Sequence, residues 1–512
     1  MDRFRQLDRH RVARREALKG ALRSAVAITA GSAFTGRAYA AETKATGYKG
    51  NKVTLSDAAV MDLQKSLRGA VLLPTSPDYE ETRKLWNGEF NNLNPAMIAK
   101  VATAEDVQNA VRFARAHDLL VAVRCGGHSY MGQSSCDGGL VIDMRAIGDV
   151  QVDAAAKTAR VGGGALLGAM DAATMKYGLA TTAGVIAHTG IGGLATGGGQ
   201  GRLQRNFGMT VDNIRGVEVV TADGRLLKAN ATENADLYWA VRGGGGNFGI
   251  VTAFDMQLHA IDPKVTSYNF AFPMSRVKDA MKFYLDFSAN APDSLSVSFG
   301  LRSPEKGEAT CSISGGFIGT PQAAEKLLEP IKVLGTPVGT PRLSDIEYVK
   351  IQSAGDAANP HGGHYYMRVA YQNTPDMKLG EHVIEVMSRA PVPGLNLGFS
   401  QQGGAGARVP VEATAYANRP AQYQLALQTK WEDPAQGPDL IKKVRERWND
   451  IKPATNGGFY VNHAADEDMN EAAKNYGANY PRLVEIKTKY DPTNFFHRNF
   501  NIVPKKQSAQ KT

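Results

Sequence analysis

The sequence predicts an α+β protein in two parts: a glycine-rich domain, and a second domain in which helices back a large antiparallel sheet. Two observations predict this class. Short apolar strands alternate with helices and glycine turns as far as about His259. From about Asp262, segments alternate apolar and polar residues with a period of two, which is typical of strands with one buried and one solvated face.

The clearest helix of the first part begins at the predicted N-cap Thr103, has Asp106 at the capping-box position and ends at Ala116. An apolar strand, Leu119–Val123, follows it. Upstream, residues 41–90 are predicted to form a polar linker with a short helix over Leu55–Leu67 and extended runs such as Ala70–Leu73. This succession of helix, strand and glycine turn favours an α+β domain.

The second part contains six alternating runs that we predict as strands. They are Val265–Phe270, Leu295–Phe299, Cys311–Ser314, His364–Val369, Leu395–Phe399 and Tyr423–Thr429. Helical patterns lie between them, at Ala323–Val333 and Leu440–Trp448. We therefore expect an antiparallel sheet that covers the first domain, with helices on its other face.

Charge and cysteine content exclude several classes. The 512 residues carry a formal net charge of +9, but residues 1–40 contribute +6 of it, and no basic stripe with interleaved aromatic residues is present, so a nucleic-acid partner is not predicted. Three cysteines are too few for a disulfide framework, although Cys125 and Cys136 remain a candidate pair. No Cys/His cluster has zinc-ligand spacing, so no metal site is predicted.

The N-terminus resembles a twin-arginine export signal. Arg14 and Arg15 precede a weakly apolar stretch over residues 21–34, and Ala38-Tyr39-Ala40 offers a cleavage site. The stretch is too short and too mildly apolar for a stable membrane span. We expect recognition by the twin-arginine export machinery and a periplasmic or secreted location; the alternative is a cytosolic protein with a basic tail.

Two glycine-rich loops follow strand-like runs: residues 124–129, which end in a histidine and a serine, and residues 189–201. Glycine lets backbone N–H groups approach an anion closely because no Cβ intervenes. Two such loops predict a clamp on a pyrophosphate. A Rossmann site is excluded, because no Gly-x-Gly-x-x-Gly opens an amphipathic helix with an acidic residue about twenty positions on.

Four segments together resemble one family. They are Arg124-Cys125-Gly126-Gly127-His128-Ser129, residues 212–220, residues 236–252 with the string Arg-Gly-Gly-Gly-Gly-Asn-Phe-Gly-Ile-Val-Thr, and Tyr490-Asp491-Pro492-Thr493-Asn494-Phe495-Phe496. Their order is similar to that of the berberine bridge enzyme-like FAD-linked oxidases of the vanillyl-alcohol oxidase superfamily. The resemblance extends from about Asn94 to Val503. It implies a PCMH-type FAD-binding domain over 91–262, a substrate-binding domain over 263–455 and a C-terminal segment, 456–512, that returns to the FAD domain, after a signal (1–40) and an N-terminal extension (41–90).

The resemblance also implies the cofactor and its contacts. In the family the matching histidine carries the flavin covalently, so FAD is expected on His128. In doubly attached members a cysteine follows Gly-Val at the place where this chain has Ile186, so a single covalent bond is expected. The other implied cofactor-binding residues are Arg124, Cys125, Gly126, Gly127, Ser129, Thr189, Gly190, Gly193, Gly197, Gly198, Gly199, Gly249, Ile250, Val251, Asn499 and Asn501.

Flavin oxidation of a C–H bond also needs a base for the neighbouring O–H or N–H. Tyr460, in a segment similar to the family's Tyr-x-Asn, is the first candidate, and His463 is the second because it titrates in a suitable range. Plant members place a glutamate in the strand that corresponds to Val411–Arg419; here Ala413 holds that position and Glu412 is one step away, on the opposite face of a strand. Polar pocket candidates are Gln401, Gln424 and Gln428.

The predicted function is therefore that of an FAD-dependent oxidoreductase that oxidises an alcohol, a sugar or a related small molecule, with oxygen as electron acceptor and hydrogen peroxide as product. A dehydrogenase that passes electrons to a quinone or another periplasmic carrier is the main alternative, and Thr189, at the position that influences oxygen access, does not decide between them. The cell-wall reductases that share this FAD domain lack the attachment histidine. A flavin-binding protein without turnover is the remaining alternative.

Overall fold

The computed structural model describes residues 42–304, 307–389, 392 and 394–506. It confirms the α+β class: three larger sheets are present in the described part of the chain, two before residue 260 and one after it. The predicted export signal, residues 1–40, lies outside the described residues. No helix among the described residues has the length and apolarity needed to cross a membrane.

The first part of the predicted linker is instead a hairpin, because β1 (Thr43–Thr46) pairs antiparallel with β2 (Lys52–Leu55). The predicted short helix is present at Asp57–Ser66, and the predicted extended run contains the strand Ala70–Leu72. The sheet that follows has the order β3-β4-β6-β5 in the described chain, with β4, β6 and β5 parallel and β3 antiparallel to β4. Its strands are β3 (Ala70–Leu72), β4 (Met97–Lys100), β5 (Val121–Arg124) and β6 (Leu140–Asp143), and the helices of this region are α1 (Asp57–Ser66), α2 (Tyr79–Arg83) and α3 (Ala104–Ala116).

The predicted cap of α3 is confirmed. The Thr103 side chain accepts a hydrogen bond from Asp106 N at 3.2 Å, and this satisfies one of the free N–H groups of the first turn. Asp106 also accepts from the backbone of Arg68, Gly69 and Ala102, which fixes the start of α3 against the end of α1. The helix thus precedes the strand that leads into the first glycine loop.

The second sheet is antiparallel, and its order in the described chain is β11-β10-β12-β8-β7. Its strands are β7 (Val150–Asp153), β8 (Thr158–Gly162), β10 (Ile214–Val220), β11 (Leu226–Asn230) and β12 (Ile250–Gln257), and a short pair is formed by β9 (Leu179–Ala180) and β13 (His259–Ala260). The accompanying helices are α4 (Leu167–Thr174), α5 (Ile191–Thr196), α6 (Gln204–Phe207) and α7 (Ala235–Val241).

The third sheet is antiparallel throughout, with the order β17-β14-β16-β15-β19-β20-β18 in the described chain. Its strands are β14 (Lys264–Pro273), β15 (Leu295–Arg302), β16 (Thr310–Phe317), β17 (Arg342–Glu347), β18 (His364–Gln372), β19 (Asn396–Gln401) and β20 (Tyr423–Trp431). All six predicted runs are strands of this sheet. The helices around it are α8 (Val277–Ala289), α9 (Pro321–Leu328), α10 (Tyr348–Gln352), α11 (Met377–Ser388), α12 (Gly404–Arg408) and α13 (Gly437–Ile451).

The two faces of this sheet belong to different cores. Leu425 and Leu427 pack with the helices behind the sheet. Val369 and Tyr371, on the other face, share a core with residues of the glycine-rich part such as Ile191. Alternation along each strand therefore directs one set of side chains toward the region of the glycine loops.

The C-terminal segment contains α14 (Ala472–Tyr476) and α15 (Tyr480–Tyr490). Lys487 is fully buried, pairs with Asp491 at 2.6 Å and donates to the carbonyl of Asn247 at 2.8 Å. This buried cation ties the last helix to the segment before β12.

One predicted strand is wrong. Residues 411–419 form a short 3₁₀ turn followed by irregular backbone. The carbonyls of Glu412 and Ala413 accept hydrogen bonds from Trp239 Nε1 at 2.7 Å and Arg242 Nη2 at 3.0 Å, so side chains, not a neighbouring strand, satisfy this backbone. Glu412 and Ala413 therefore do not lie on opposite faces of a strand.

Candidate active site

The two predicted glycine loops lie directly against each other. A Cβ at Gly126 would overlap the backbone nitrogen of Gly190, and a Cβ at Gly190 would overlap Gly126. A third loop, Gly162–Gly164, joins them, because a Cβ at Gly192 would overlap the carbonyl of Gly163. The sequence analysis missed this third loop, although its run of glycines at the end of a strand is the same signal.

The first loop carries His128, whose ring lies in a stack of three aromatic rings. Trp86 stacks on His128 with ring centroids 4.4 Å apart, and Tyr365 stacks on the other face of Trp86 at 4.0 Å. Arg124 is buried, and its guanidinium donates to the carbonyls of Thr82 and Lys84. Arg124 therefore fixes the segment that leads to Trp86, and burial lowers the pKa of its guanidinium to about 10.

His128 is also one of three histidines that converge, here called the histidine cluster (His128, His188 and His361). His128 Nε2 lies 2.6 Å from His188 Nδ1, and the His361 ring is 4.7 Å from that of His188. One nitrogen from each ring lies within 4.8 Å of the others. The 2.6 Å separation is that of a hydrogen bond and is shorter than the roughly 3.3 Å between two nitrogens on a tetrahedral zinc ion.

Burial determines the charge of this cluster. It lowers the pKa of His128 to about 2, and neighbouring His188 and His361 add to the effect. Burial also lowers the pKa of His188. The carboxylate of Asp356 acts in the opposite direction but does not outweigh burial. Both rings of the hydrogen-bonded pair are therefore neutral at neutral pH. The sequence did not predict this cluster, since its members come from three segments far apart in the chain.

The neighbours of His128 in the first loop have structural contacts of their own. Cys125 Sγ lies 3.7 Å from the carbonyl of Ala165, and burial raises the pKa of its thiol to about 11. Cys125 and Cys136 are both free thiols, so the candidate disulfide is not formed. Ser129 Oγ accepts from the backbone N–H groups of Met131 and Gln133 and so closes the turn after His128.

The second loop leads from the histidine cluster to a buried tyrosine. The Thr189 carbonyl accepts from Leu167 N at 2.9 Å, and no atom lies within 4 Å of a Cβ built on Gly193. At the far end, Gly197 lies against the Asn462 side chain, while Gly198 and Gly199 have φ of +130° and +80°. Positive φ explains why glycine is needed at these two positions.

Gly249, Ile250 and Val251 lie at the start of β12, next to the third glycine loop. Ile250 and Val251 are buried and pair with the last two residues of β10, and a Cβ at Gly163 would overlap the carbonyl of Val251. Asn499 and Asn501, near the C-terminus, each have a buried side-chain oxygen with no hydrogen-bond partner among the described residues.

Tyr460 and His463 lie together in a group of rings, here called the tyrosine pocket (Tyr130, Tyr371, Tyr416, Tyr460 and His463), of which Tyr371, Tyr416 and Tyr460 are buried and the other two are half-buried. The His463 ring makes edge contacts with Tyr460 at 4.9 Å and with Tyr130 at 5.5 Å. The Tyr371 and Tyr416 hydroxyls lie 2.5 Å apart. The sequence predicted Tyr460 and His463 but missed the three tyrosines that the fold brings to them.

The Tyr460 oxygen accepts from three N–H donors: Gly199 N at 2.9 Å, Gln200 N at 3.3 Å and Asn462 Nδ2 at 2.7 Å. These donors favour the phenolate, yet burial outweighs them and the pKa of Tyr460 is raised. Burial lowers the pKa of His463 to about 4. At neutral pH, Tyr460 is therefore a phenol and His463 a neutral imidazole.

The three glutamines occupy different places. Gln424 lies beside the pocket, with Nε2 3.4 Å from His463 Nδ1 and a buried Oε1 that has no partner among the described residues. Gln428 is exposed. Gln401 points to the other face of the sheet, where it bonds the backbone of Ser288 and Val297.

Ring contacts connect the histidine cluster to the tyrosine pocket without a break. Tyr130 contacts His463 on one side and Trp86 at 5.1 Å on the other, and Trp86 stacks on His128. The predicted attachment residue and the predicted base are thus joined through Tyr130 and Trp86, neither of which the sequence analysis singled out.

These features fit a flavin dinucleotide. The backbone N–H groups of Gly127, His128 and Ser129 have no acceptor among the described residues, and successive free N–H groups suit a polar or anionic ligand. The open side of Gly193 and the unpartnered oxygens of Asn499 and Asn501 add space and acceptors.

Comparison with known proteins identifies the class. The family model described as "FAD binding domain" matches residues 95–230, and the one described as "Berberine and berberine like" matches residues 459–503. The chain belongs to the berberine bridge enzyme-like family of FAD-linked oxidoreductases, and it is an enzyme of this class.

Individual relatives match nearly their whole length. An FAD-linked oxidoreductase of Dictyostelium discoideum is 31% identical over 87% of this chain and 97% of its own length. The (R)-6-hydroxynicotine oxidase of Paenarthrobacter nicotinovorans is 28% identical over 86% of this chain and 97% of its own. The solved structure of BBE-like 1 from Physcomitrella patens superposes with a TM-score of 0.80, at 25% identity, over 88% of this chain and 100% of that one.

Proposed function

We propose that the protein holds FAD covalently through His128 and oxidises an alcohol, a sugar or a related small molecule, with oxygen as electron acceptor and hydrogen peroxide as product. The observation that carries the proposal is the unbroken series of ring contacts from His128 to the buried Tyr460 and the half-buried His463. Bound FAD would supply the hydride acceptor. The chain supplies its attachment, the exclusion of water and the proton transfer.

The attachment rests on His128 alone. Its ring orientation is fixed by Trp86, and its neutral imidazole is a nucleophile. Ile186, beside the loop that carries His361, has an apolar side chain that offers no second attachment atom. The free N–H groups of the first loop and the acceptors of Asn499 and Asn501 would hold the rest of the cofactor.

His463 is the proposed proton acceptor. Its pKa of about 4 keeps it unprotonated at neutral pH, whereas the raised pKa of Tyr460 keeps that hydroxyl protonated. The 3.4 Å contact from Gln424 is long for a hydrogen bond, so a substrate hydroxyl can replace it at His463 Nδ1. Tyr460, held by three donors, would orient the substrate oxygen beside this base.

The substrate class follows from the polar groups of the pocket. Gln424 Oε1 is a buried acceptor without a partner among the described residues, and Gln200 Nε2 donates to the Tyr371 hydroxyl at 2.8 Å. A small molecule with several hydroxyl groups satisfies such a lining, because each buried acceptor left without a donor costs about 1–3 kcal/mol.

Export is proposed on the N-terminal sequence alone. Arg14-Arg15, the weakly apolar stretch and Ala38-Tyr39-Ala40 occur in the order of a twin-arginine signal. Replacement of both arginines by lysine should retain the precursor in the cytoplasm, and undiminished periplasmic recovery would contradict the proposal.

Anaerobic reduction of the purified yellow protein tests the proposed reaction. Sugars, alcohols and amines are mixed in turn with the enzyme without oxygen, and flavin bleaching is recorded. We expect bleaching by a hydroxylated compound and, on admission of air, recovery of the yellow colour with one hydrogen peroxide per flavin. Bleaching by amines alone would contradict the substrate class. Recovery only with an added quinone would identify a dehydrogenase.

A further inference from the structure

His188 comes from the second glycine loop, yet its imidazole is the direct hydrogen-bond partner of His128. The 2.6 Å distance joins His128 Nε2 to His188 Nδ1. Only one proton fits between two nitrogens of a neutral pair, so one ring donates and the other accepts. The direction of this bond decides which nitrogen of His128 keeps a free lone pair.

The contacts of His128 set that direction. Its Nε2 is occupied by His188, so Nδ1 is the ring nitrogen left open for a bond to the flavin. The nitrogen that forms this bond needs a free lone pair, so the single proton of the neutral His128 ring lies on Nε2, which donates it to His188 Nδ1. Nδ1 of His128 is then unprotonated.

We infer that His188 is the positioning residue for covalent flavin attachment: it holds His128 in the tautomer with a nucleophilic Nδ1 and takes the Nε2 proton when Nδ1 forms its bond to the flavin. The inference rests on the proposed attachment at His128 and assigns it a second residue. His361, the third member of the cluster, forms no hydrogen bond to His128.

In the attachment step, His128 Nδ1 would form a bond to the 8α-methyl carbon of bound flavin as one C–H bond of that methyl group breaks and its proton leaves to solvent. The electron pair of that C–H bond would pass to molecular oxygen, which takes up two protons and leaves as hydrogen peroxide. His128 Nε2 would otherwise carry a positive charge, and it transfers its proton to His188 Nδ1.

The groups that face His188 can support the resulting charge. Asp356 follows α10, and its carboxylate favours the protonated ring. Asp356 Oδ1 also accepts from the N–H of Ala187, next to His188, at 2.9 Å, which fixes the carboxylate near the ring. His128 and His361 are the other titratable groups in contact with the His188 ring. Burial lowers the pKa of both, so both are neutral at neutral pH.

The ring position of His128 does not depend on His188. Trp86 and Tyr365 stack on one side, and Arg124 fixes the backbone that carries Trp86. Loss of the His188 ring should therefore remove the proton acceptor and leave the His128 ring plane held by its stack. A His188 variant can therefore distinguish a role of His188 in proton transfer from a role in holding the His128 ring in place.

The experiment uses the full chain, produced in riboflavin-starved cells, as wild type, His188→Ala, His188→Gln and His361→Ala. Each is mixed with FAD in air, and covalent incorporation is followed by acid precipitation over time. We expect His188→Ala to bind FAD but to attach it about 10²–10³-fold more slowly, the worth of a lost proton acceptor. Added imidazole should restore part of the rate, and His361→Ala should attach FAD at the wild-type rate.

The outcomes separate the two proposals. If wild type releases all its flavin into the acid supernatant, the attachment at His128 fails and the role of His188 fails with it. If wild type attaches FAD and His188→Ala does so at the same rate, only the present inference is overturned. His188→Gln replaces His188→Ala if the alanine variant folds poorly, because glutamine keeps a hydrogen-bond acceptor but cannot take the proton. Slow attachment by His188→Gln that added imidazole accelerates supports the inference. Attachment at the wild-type rate overturns it.

Discussion

The histidine cluster and the tyrosine pocket are built in different ways. Around His128, backbone packs on backbone: Gly126 and Gly190 leave no room for a Cβ between the two loops. Around Tyr460, side chains make the contacts, with hydrogen bonds from Asn462 and from the N–H groups of the second loop. The first region is packed backbone against backbone, and the second depends on polar side chains that a substrate can engage.

This difference in packing predicts that substitutions in the two regions affect different properties of the protein. Substitutions of side chains in the pocket should change the rate of flavin reduction with little effect on folding. Substitutions of glycine between the loops should change stability and cofactor loading together.

His463→Gln should have the largest effect on rate. The amide keeps a polar group near Gln424 but cannot accept a proton at neutral pH, so flavin reduction should slow by about 10²–10⁴-fold. Stopped-flow reduction by a reactive substrate measures this, with reoxidation by oxygen as internal control. A reduction rate within a few-fold of wild type would exclude His463 as the base.

The pH dependence of this reaction tests the protonation state in which the base is active. A base with pKa of about 4 is active when unprotonated, so wild-type kcat/KM should be flat near neutral pH and fall as pH drops through about 4. His463→Gln should lose that fall. A profile in which activity rises only toward pH 10 would assign the proton transfer to Tyr460 instead.

The two regions could be predicted from the sequence to different degrees. His128, the glycine loops and six of the seven strands that the described chain has in the large sheet were predicted, because positive φ, close backbone approach and period-two alternation are local requirements. His188, Tyr130 and Trp86 were not, since each meets its partners only through tertiary contacts. Residues 411–419 were predicted as a strand, but side chains of Trp239 and Arg242 satisfy their carbonyls, which no local pattern reveals.

Gly126→Ala should destabilise the fold. Its Cβ would overlap Gly190, and separating the two loops should cost about 1–3 kcal/mol in the free energy of unfolding, with loss of bound flavin. Gly246→Ala is the matched control, since no atom lies within 4 Å of a Cβ built there. Urea unfolding of both variants measures the difference. Equal stability would show that the loops adjust, and the contrast with the pocket would be lost.

Tyr460→Phe should have a smaller effect than His463→Gln. The ring remains, while Gly199 N and Asn462 Nδ2 lose their acceptor, so substrate orientation suffers. We expect reduction to slow by about 10-fold, the equivalent of one hydrogen bond, with unchanged flavin loading. If this variant is slower than His463→Gln, the roles of the two residues are reversed.

A peptide mass map of the acid-precipitated protein tests the proposed covalent bond between flavin and His128. We expect a yellow precipitate in which the peptide containing His128 carries one FAD and the peptide containing Ile186 carries none. His128→Ala should give a colourless precipitate, with any bound flavin in the supernatant. Free FAD in the wild-type supernatant, or FAD attached to a different residue, would contradict the claim.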